Sequence, residues 1–220
     1  MEPNVIHLAT VTSTQDVARA MTPRRVGAVI IADVQEKGRG RRGHVWLSPR
    51  GGLYVSIVMR SDPLLSLRAG IAVARALQKL GIDARLKWPN DVLVHEKKIA
   101  GILIEASEEM AIVGIGVNID SVPLPEATCV ECEAKRSVTR DEVLQSILQE
   151  IETACGEDII KTYRELCCTI GRKVRIITAA GKEIMGNALG IDRDGHLLVD
   201  DGKDKHMIVG GDCEHLDARV

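Results

Sequence analysis

The chain has 220 residues, of which 29 are basic and 31 acidic, so its formal net charge is −2. Hydrophobic residues make up 45% and charged residues 27%, which is the ordinary balance of a globular protein with a buried core. The charge balance argues against bulk nucleic-acid binding, and no apolar run approaches the ~20 residues that span a bilayer. The first residues lack a signal-peptide pattern. We therefore expect a cytoplasmic protein with one large domain, or a medium and a small one.

The first third of the chain alternates predicted helices and strands. Ser13, with Asp16 three residues later, has the form of a helix capping box. Gly81 follows a run with apolar residues at helical spacing and predicts its C-terminal cap. In chain order the sequence predicts a helix from 13 to about 21, a buried strand over 26–34, a polar loop over 35–52, a strand over 53–59 and a helix over 66–80.

The middle of the chain favours hairpins over crossover connections. Thr139 and Glu142 form a second capping box before an amphipathic helix. The sequence predicts a strand over 85–88, a turn at 89–91, strands over 99–105 and 111–118, a loop over 119–138, a helix after 139 and a helix over 158–168. Hairpins indicate an α+β domain with a mixed or antiparallel sheet rather than a doubly wound one.

After Gly171 the pattern changes to short strands separated by Gly-containing turns, with no helix. Such a pattern predicts a small β-barrel. We place a domain boundary near residue 170, which gives a larger domain over 1–170 and a barrel over 171–220.

Aromatic residues are scarce: the chain has two Trp, two Tyr and no Phe. Trp46 and Trp88 both lie in polar segments, so we expect them to form pocket walls rather than core. Among the six cysteines, Cys129 and Cys132 have the spacing of half a zinc site, but a structural zinc needs four ligands. A metal-free surface pair is favoured, with zinc or, in a hyperthermophile, a disulfide as alternatives.

The sharpest motif is the segment over residues 38–46, Gly-Arg-Gly-Arg-Arg-Gly-His-Val-Trp, here called the arginine loop. Its glycines allow close backbone approach to a ligand, and its arginines suit phosphate or carboxylate oxygens. It lacks the Gly-Lys-Ser/Thr end of a Walker loop. A solvated loop or an Arg-Gly nucleic-acid segment is the alternative, but such segments usually repeat. We expect an anion-handling loop that is mobile when empty.

Two further motifs are weaker when each is taken alone. Lys87-Trp88-Pro89-Asn90-Asp91 places a lysine before a rigid turn, where its ammonium could meet a carboxylate or an α-phosphate. A plain turn with a solvated lysine is the alternative. Gly114-Ile115-Gly116-Val117-Asn118 and Gly101 put glycines inside strands, which indicates a bulge, sheet packing or a close ligand.

Taken together, these motifs resemble those of biotin protein ligases, in the same order and over nearly the whole chain. The resemblance implies the biotin/lipoate ligase catalytic fold, which is similar to class II synthetases, followed by a small Src-homology-3-like barrel. The motifs that carry it are Ser13-Thr14-Gln15, Gln35 with the arginine loop, Lys87-Trp88-Pro89-Asn90-Asp91, Lys98-Ile99-Ala100-Gly101-Ile102-Leu103 and Gly114-Ile115-Gly116-Val117-Asn118.

The resemblance implies an enzyme that activates biotin with ATP and passes it to a lysine of a biotin carrier protein. Arg39, Arg41 and Lys87 would be catalytic, and Mg²⁺ would accompany ATP without a metal site of the protein's own. Biotin would be bound by Ser13, Thr14, Gln15, Gln35, Gly38, Arg39, Gly40, Arg41, Lys87, Gly101 and Gly116. ATP would be bound by Arg41, Arg42, Trp46, Lys87 and Asn118.

Gln15 and His44 depart from the family pattern, which often has Asn and a basic residue there; His44 would carry only a partial charge near neutral pH.

Twelve residues precede Ser13, too few for a helix-turn-helix module, so we expect no DNA binding. We also expect no membrane association. The resemblance implies a homodimer. The rival functions are a lipoate or octanoate ligase, a non-catalytic binding module and a nucleic-acid protein.

Overall fold

A seven-stranded sheet forms the larger part of the molecule. The computed structural model describes residues 4–120, 122, 124–154 and 158–216. The strands of this sheet are β1 (Asn4–Val11), β2 (Ala28–Gln35), β3 (Gly52–Arg60), β4 (Arg85–Lys87), β5 (Asp91–Val94), β6 (Lys97–Ala106) and β7 (Met110–Asn118). Their order is β1-β2-β3-β7-β6-β5-β4. β1 pairs with β2 in parallel, and the other neighbouring pairs are antiparallel. The predicted mixed sheet is therefore confirmed.

Five helices accompany this sheet in the described ranges. They are α1 (Thr14–Ala20), α2 (Leu65–Lys79), α3 (Val130–Glu133), α4 (Arg140–Thr153) and α5 (Ile159–Leu166). α2 packs against α4 and α5, and none of the described helices is long and apolar enough to cross a membrane.

The alternation of side chains along the strands gives the sheet two different faces. On β3, Leu53, Val55 and Ile57 belong to the large core under α2, α4 and α5. Val58 of the same strand belongs to a small cluster beneath α1, together with Ile30. The core consists mainly of Val, Ile, Leu and Ala, as the shortage of aromatic residues requires.

Trp88 was expected to form a pocket wall rather than core, and it does both: it borders a cavity and also belongs to the large core. Its side chain is only 2% exposed and is the largest fully buried one in the described core. Its indole Nε1 donates to the carbonyl oxygen of Gly195 at 3.1 Å, because a buried indole N–H needs an acceptor. Trp88 therefore joins the turn after β4 to the C-terminal part of the chain.

The capping predictions are half confirmed. Ser13 is the N-cap of α1 and accepts from the backbone N–H of Gln15, and Thr139 caps α4 by accepting from the N–H of Glu142 at 3.2 Å. Neither acidic partner closes its box, since Asp16 pairs with Arg39 and Glu142 with Arg136. In both cases an arginine pairs with the carboxylate, 23 positions away for Asp16 and six positions away for Glu142.

The cysteine pair differs from the favoured interpretation. Cys129 and Cys132 are joined by a disulfide, and Cys129 is almost fully buried. Cys129 is the N-cap of the short helix α3 and Cys132 lies within it, and this helix lies inside the predicted loop over 119–138. Both sulfurs are bonded to each other and not free as zinc ligands, so the disulfide alternative is the one that the structure bears out.

The C-terminal part forms a second, antiparallel sheet. Its strands are β8 (Lys173–Thr178), β9 (Glu183–Ile191), β10 (Leu197–Asp200), β11 (Lys205–Ile208) and β12 (Gly211–His215), in the order β11-β10-β9-β8-β12. Every neighbouring pair is antiparallel. The short strands predicted after Gly171 are present, and β12 runs back toward the arginine loop.

Candidate active site

A cavity of about 280 Å³ lies where α1, the arginine loop, the turn after β4 and strand β12 meet. Its floor is the sheet face that carries Gly114 and Gly116, opposite the large core. Ten of the predicted site residues line it: Ser13, Thr14, Gln15, Gln35, Arg39, Gly40, Arg41, Trp46, Gly101 and Gly116. Four others do not lie on its wall: Gly38, Arg42, Lys87 and Asn118.

One end of the cavity is a fixed network of neutral polar groups. The Oε1 of Gln35 accepts from both the backbone N–H and the hydroxyl of Thr14, at 2.9 and 3.1 Å. Ser56 donates to the Thr14 hydroxyl at 2.8 Å, and Gln15 donates to the carbonyl of Leu103 at 3.2 Å. A Cβ on Gly114 would lie 2.9 Å from Cδ of Gln15, so a glycine is needed for Gln15 to occupy this position. This end is preorganised for an uncharged polar ligand group.

The arginine loop supplies the charged end of the cavity, and each of its arginines has a partner within the protein. Arg39 makes a two-pronged pair with Asp16 at 2.8 and 2.9 Å. Arg41 donates to Oδ1 of Asn90 at 3.1 Å and to the carbonyl of Gly211 at 3.3 Å. Burial lowers the pKa of Arg41, although a guanidinium remains protonated. The mobility expected of an empty loop stays a prediction.

Trp46 lies flat on the floor, as the sequence predicted. Gly101 and Gly116 face each other across β6 and β7, and a Cβ on Gly116 would lie 2.4 Å from the indole ring. The Nζ of Lys98 lies 5.3 Å from the ring centre and 2.7 Å from Oδ1 of Asp91. The indole Nε1 of Trp46 is buried and has no hydrogen-bond partner within the described chain. It is therefore a free donor beside the cavity.

Lys87 ends β4 and is not among the residues that line the cavity, although its charge acts on Cys213, which does line it. The backbone N–H of the next residue, Trp88, donates to the hydroxyl of Thr169 at 3.0 Å, which lies 3.0 Å from Nε2 of His215. Burial, and then the charge of Lys87, lowers the pKa of His215 to about 4. This buried network anchors the turn after Lys87 to β12.

The remaining predicted residues support the wall from behind. Asn118 donates to the carbonyls of Thr128 at 3.0 Å and Lys98 at 3.4 Å. A Cβ on Gly38 would lie 2.3 Å from the carbonyl oxygen of Trp46, so Gly38 permits the loop to fold back on itself. Both residues shape the site without touching its interior in this conformation.

Several lining residues were missed as individual site residues. Asp91 and Lys98 line the cavity and lie within motifs that the sequence analysis quotes. Two further residues were not identified by any sequence pattern: Ser56, whose hydroxyl donates to that of Thr14, and Asp212 of β12. His44 lines the cavity with its Nε2 3.8 Å from Oδ2 of Asp212.

A group of possible metal ligands lies elsewhere, in the turn between β9 and β10. It consists of Asp192, Asp194 and His196. Oδ1 of Asp192 accepts from the backbone N–H groups of the other two residues, at 2.9 Å each. These contacts build the turn, and none of the three residues lines the cavity.

Comparison with known proteins shows to which class of protein this chain belongs. The sequence model of the Biotin/lipoate A/B protein ligase family matches residues 8–120, and that of the Biotin protein ligase C terminal domain matches residues 169–216. The chain is 32% identical to the biotin–[acetyl-CoA-carboxylase] ligase of Mycobacterium tuberculosis, over 86% of this chain and 79% of that protein. It is 32% identical to the bifunctional ligase/repressor BirA of Bacillus subtilis, over 97% of this chain and 74% of that protein.

Solved structures agree with these relatives. The biotin protein ligase of Aquifex aeolicus in complex with biotin and ATP has a TM-score of 0.84 and 31% identity, with 96% of this chain and 97% of that chain covered. The enzyme of Leishmania major in complex with biotinyl-5-AMP has a TM-score of 0.70 and 27% identity, with 99% and 100% covered.

The fold and these matches define a ligase of α+β architecture, as the sequence predicted. The chain belongs to the biotin/lipoate A/B protein ligase family, and its relatives within that family are biotin protein ligases.

Proposed function

We propose that the protein activates biotin with ATP, releasing pyrophosphate, and transfers the biotinyl group from biotinyl-AMP to a lysine of a biotin carrier protein. The observation that carries this proposal is the arrangement of the cavity, which joins a neutral polar end to an end formed by arginines. Biotin has a neutral ureido head and an anionic carboxylate, which match the two ends.

The ureido head is assigned to the preorganised end, where Ser13, Thr14, Gln15 and Gln35 offer donors and acceptors. The carboxylate then faces Arg39, Gly40 and Arg41. Gly38 lets the loop fold back, and Gly101 and Gly116 leave room for the indole of Trp46. ATP is assigned to the side of Trp46, Arg42 and Asn118. Trp46 would stack on the adenine and Asn118 would hold the edge of its pocket.

The first step joins two anions, the biotin carboxylate and ATP, and the basic residues of the site offset their negative charge. A carboxylate oxygen of biotin attacks the α-phosphorus of ATP, and pyrophosphate leaves. Arg39, Arg41 and Lys87 offset the negative charge that builds on the α-phosphate, and one such contact can contribute roughly 2.7–4 kcal/mol. Lys87 does not line the cavity in this conformation, so it would have to extend toward the α-phosphate when ATP binds.

The second step transfers the acyl group. The neutral amine of the acceptor lysine attacks the acyl carbon of biotinyl-AMP, AMP leaves, and the amine loses a proton. Water would attack the same carbon, so the arginine loop must cover the intermediate. The contacts of Arg41 with Asn90 and Gly211 support this covering role.

Mg²⁺ is expected to enter with ATP as the counter-ion of its phosphates. The carboxylates on the described wall of the cavity are Asp91 and Asp212, and they are paired with Lys98 and Arg42. The phosphates and water would therefore supply most of the ligands of the ion.

We further propose a cytoplasmic homodimer that binds neither nucleic acid nor membranes. The edge of β1 that faces away from β2 has no described strand beside it, and Val5 of that strand is 43% exposed, which supports pairing with a second copy. Arg39 and Arg42 of the loop already face the carboxylates of Asp16 and Asp212, which argues against a phosphate-backbone site. The boundary near residue 170, with a catalytic domain over 1–170 and a barrel over 171–220, is supported by the start of β8 at Lys173.

Transfer to a carrier tests the complete reaction. Purified protein, MgATP and labelled biotin are incubated with a biotin carrier domain, and with the same domain carrying Arg at its acceptor lysine. Label on the first carrier and none on the second supports the proposal. Label on neither carrier, with folded protein, contradicts the transfer step.

A further inference from the structure

Asp16 lies in the first turn of α1 and faces the arginine loop from outside the cavity. Both of its oxygens accept from the two terminal nitrogens of Arg39, at 2.8 and 2.9 Å. This fork-to-fork geometry is the one by which arginine binds a ligand carboxylate. Arg39 also lines the cavity, whereas Asp16 does not.

The same guanidinium edge cannot serve two carboxylates well. Its terminal nitrogens are both directed at Asp16, and a second carboxylate in bidentate contact would place two negative charges side by side. A bound acid must therefore displace Asp16 from Arg39 or bind through fewer hydrogen bonds. The two side chains are about one-third exposed, 33% for Arg39 and 35% for Asp16, so the pair is accessible to such an exchange.

Asp16 keeps other partners if Arg39 turns away. Nη1 of Arg19 lies 3.1 Å from Oδ1 of Asp16, and the hydroxyl of Thr12 lies 3.3 Å from Oδ2. Arg19 also pairs with Glu105, which lies 3.5 Å from Arg39. The displaced carboxylate would not be left unpaired, so the exchange costs little.

We propose that Asp16 is an internal counter-ion which the carboxylate of the bound acid displaces from Arg39, and that Asp16 thereby sets the affinity of the site for its anionic ligand. This inference rests on the proposed function, in which Arg39 meets the biotin carboxylate. Asp16 is a positioning residue, because it acts only through Arg39. Its charge makes the site weaker for an anion than the arginines alone would make it.

Calorimetric titration with biotin and with its uncharged methyl ester tests the proposal. Asp16→Asn keeps the shape and removes the charge, so biotin should bind about three- to fivefold tighter, the range of a partly exposed ion pair, while the ester should bind as it does to the unmodified protein. Arg19→Gln should weaken biotin binding about twofold, because the displaced Asp16 loses its second partner. In an Arg39→Gln background, Asp16→Asn should have no effect.

Each other result overturns the inference. Weaker biotin binding by Asp16→Asn would mean that Asp16 orients Arg39 for the ligand. Equal changes for biotin and ester would mean a structural effect, and an effect that persists with Arg39→Gln would mean that Asp16 acts elsewhere. If the unmodified protein binds no biotin, the proposed function fails as well; if it binds biotin and Asp16→Asn changes nothing, only the inference fails.

Discussion

The guanidinium of Arg42 donates to the carboxylate of Asp212 across 2.8 Å, although the two residues are 170 positions apart in the chain. The same Arg42 nitrogen donates to the carbonyl of Ile177 at 2.8 Å. Arg41 reaches the carbonyl of Gly211 beside them. The C-terminal sheet is thus in direct contact with the arginine loop and forms part of the active site.

Removing the charge of Asp212 should loosen the loop. Asp212→Asn is expected to raise the KM for ATP about two- to fivefold, since ion pairs at this exposure contribute about 0.2–1 kcal/mol, with a small effect on kcat. Steady-state kinetics measure both constants. Glu214→Gln is the matched control, because Glu214 lies on the same strand and pairs with Arg175 instead. Equal KM values for the two variants would show that the Arg42–Asp212 pair does not hold the loop.

Lys87→Ala should abolish the first step while the protein remains folded. Loss of a cation at the α-phosphate typically costs about 100- to 1,000-fold in kcat. The measurement is pyrophosphate exchange, with circular dichroism to verify folding. Lys203→Ala, in an exposed turn of the C-terminal sheet, removes an equal charge and should retain activity. Full exchange by Lys87→Ala would exclude Lys87 from the mechanism.

Gly116→Ala should push the indole of Trp46 off the cavity floor, because the added Cβ would lie 2.4 Å from the ring. Overpacking of this kind costs about 1–3 kcal/mol, so we expect the KM for ATP to rise about tenfold. Tryptophan emission should shift to the red as the ring enters water. Gly190→Ala is the control, since no heavy atom lies within 4 Å of its Cβ position. Unchanged emission from Gly116→Ala would contradict this position of Trp46.

His215 should make stability depend on pH. Burial, with the charges of Lys87 and Arg172, lowers its pKa from 6.5 to about 4. Below pH 6.5 the unfolded chain binds a proton that the folded protein excludes, so stability is complete above pH 6.5 and declines toward pH 4. We expect a loss of about 2 kcal/mol between pH 7.5 and 4.5, measured by urea unfolding. His215→Gln should flatten this slope, and an unchanged slope would assign it to other groups.

Most of the fold could be predicted because buried strands and amphipathic helices carry strong hydrophobic periodicity. β1 was missed because it is an edge strand with half or more of its residues exposed, which weakens the alternation that identifies strands. β5 was missed because it has four residues directly after the turn at Pro89. The burial of Trp88 in the large core was not predicted, since its polar neighbours in sequence are not its neighbours in space.

The site residues that could be predicted from the sequence are those that belong to short local motifs. The glycines and arginines of residues 38–46 and the polar residues at the start of α1 could be identified because they occur as short patterns. The partners of the arginines could not, since Asp16, Asn90 and Asp212 reach them only through folding. The same limit applies to Asn118, whose side chain donates to the carbonyls of Thr128 and Lys98, and to Lys87, which does not line the cavity in this conformation.

The most direct test of the central claim is ATP–pyrophosphate exchange by the purified protein, with biotin, lipoate and octanoate offered separately. It requires no acceptor protein and reports formation of the acyl-adenylate alone. The account predicts exchange with biotin and none with the other two acids. Exchange with lipoate or octanoate instead of biotin, or no exchange by folded protein, would contradict it.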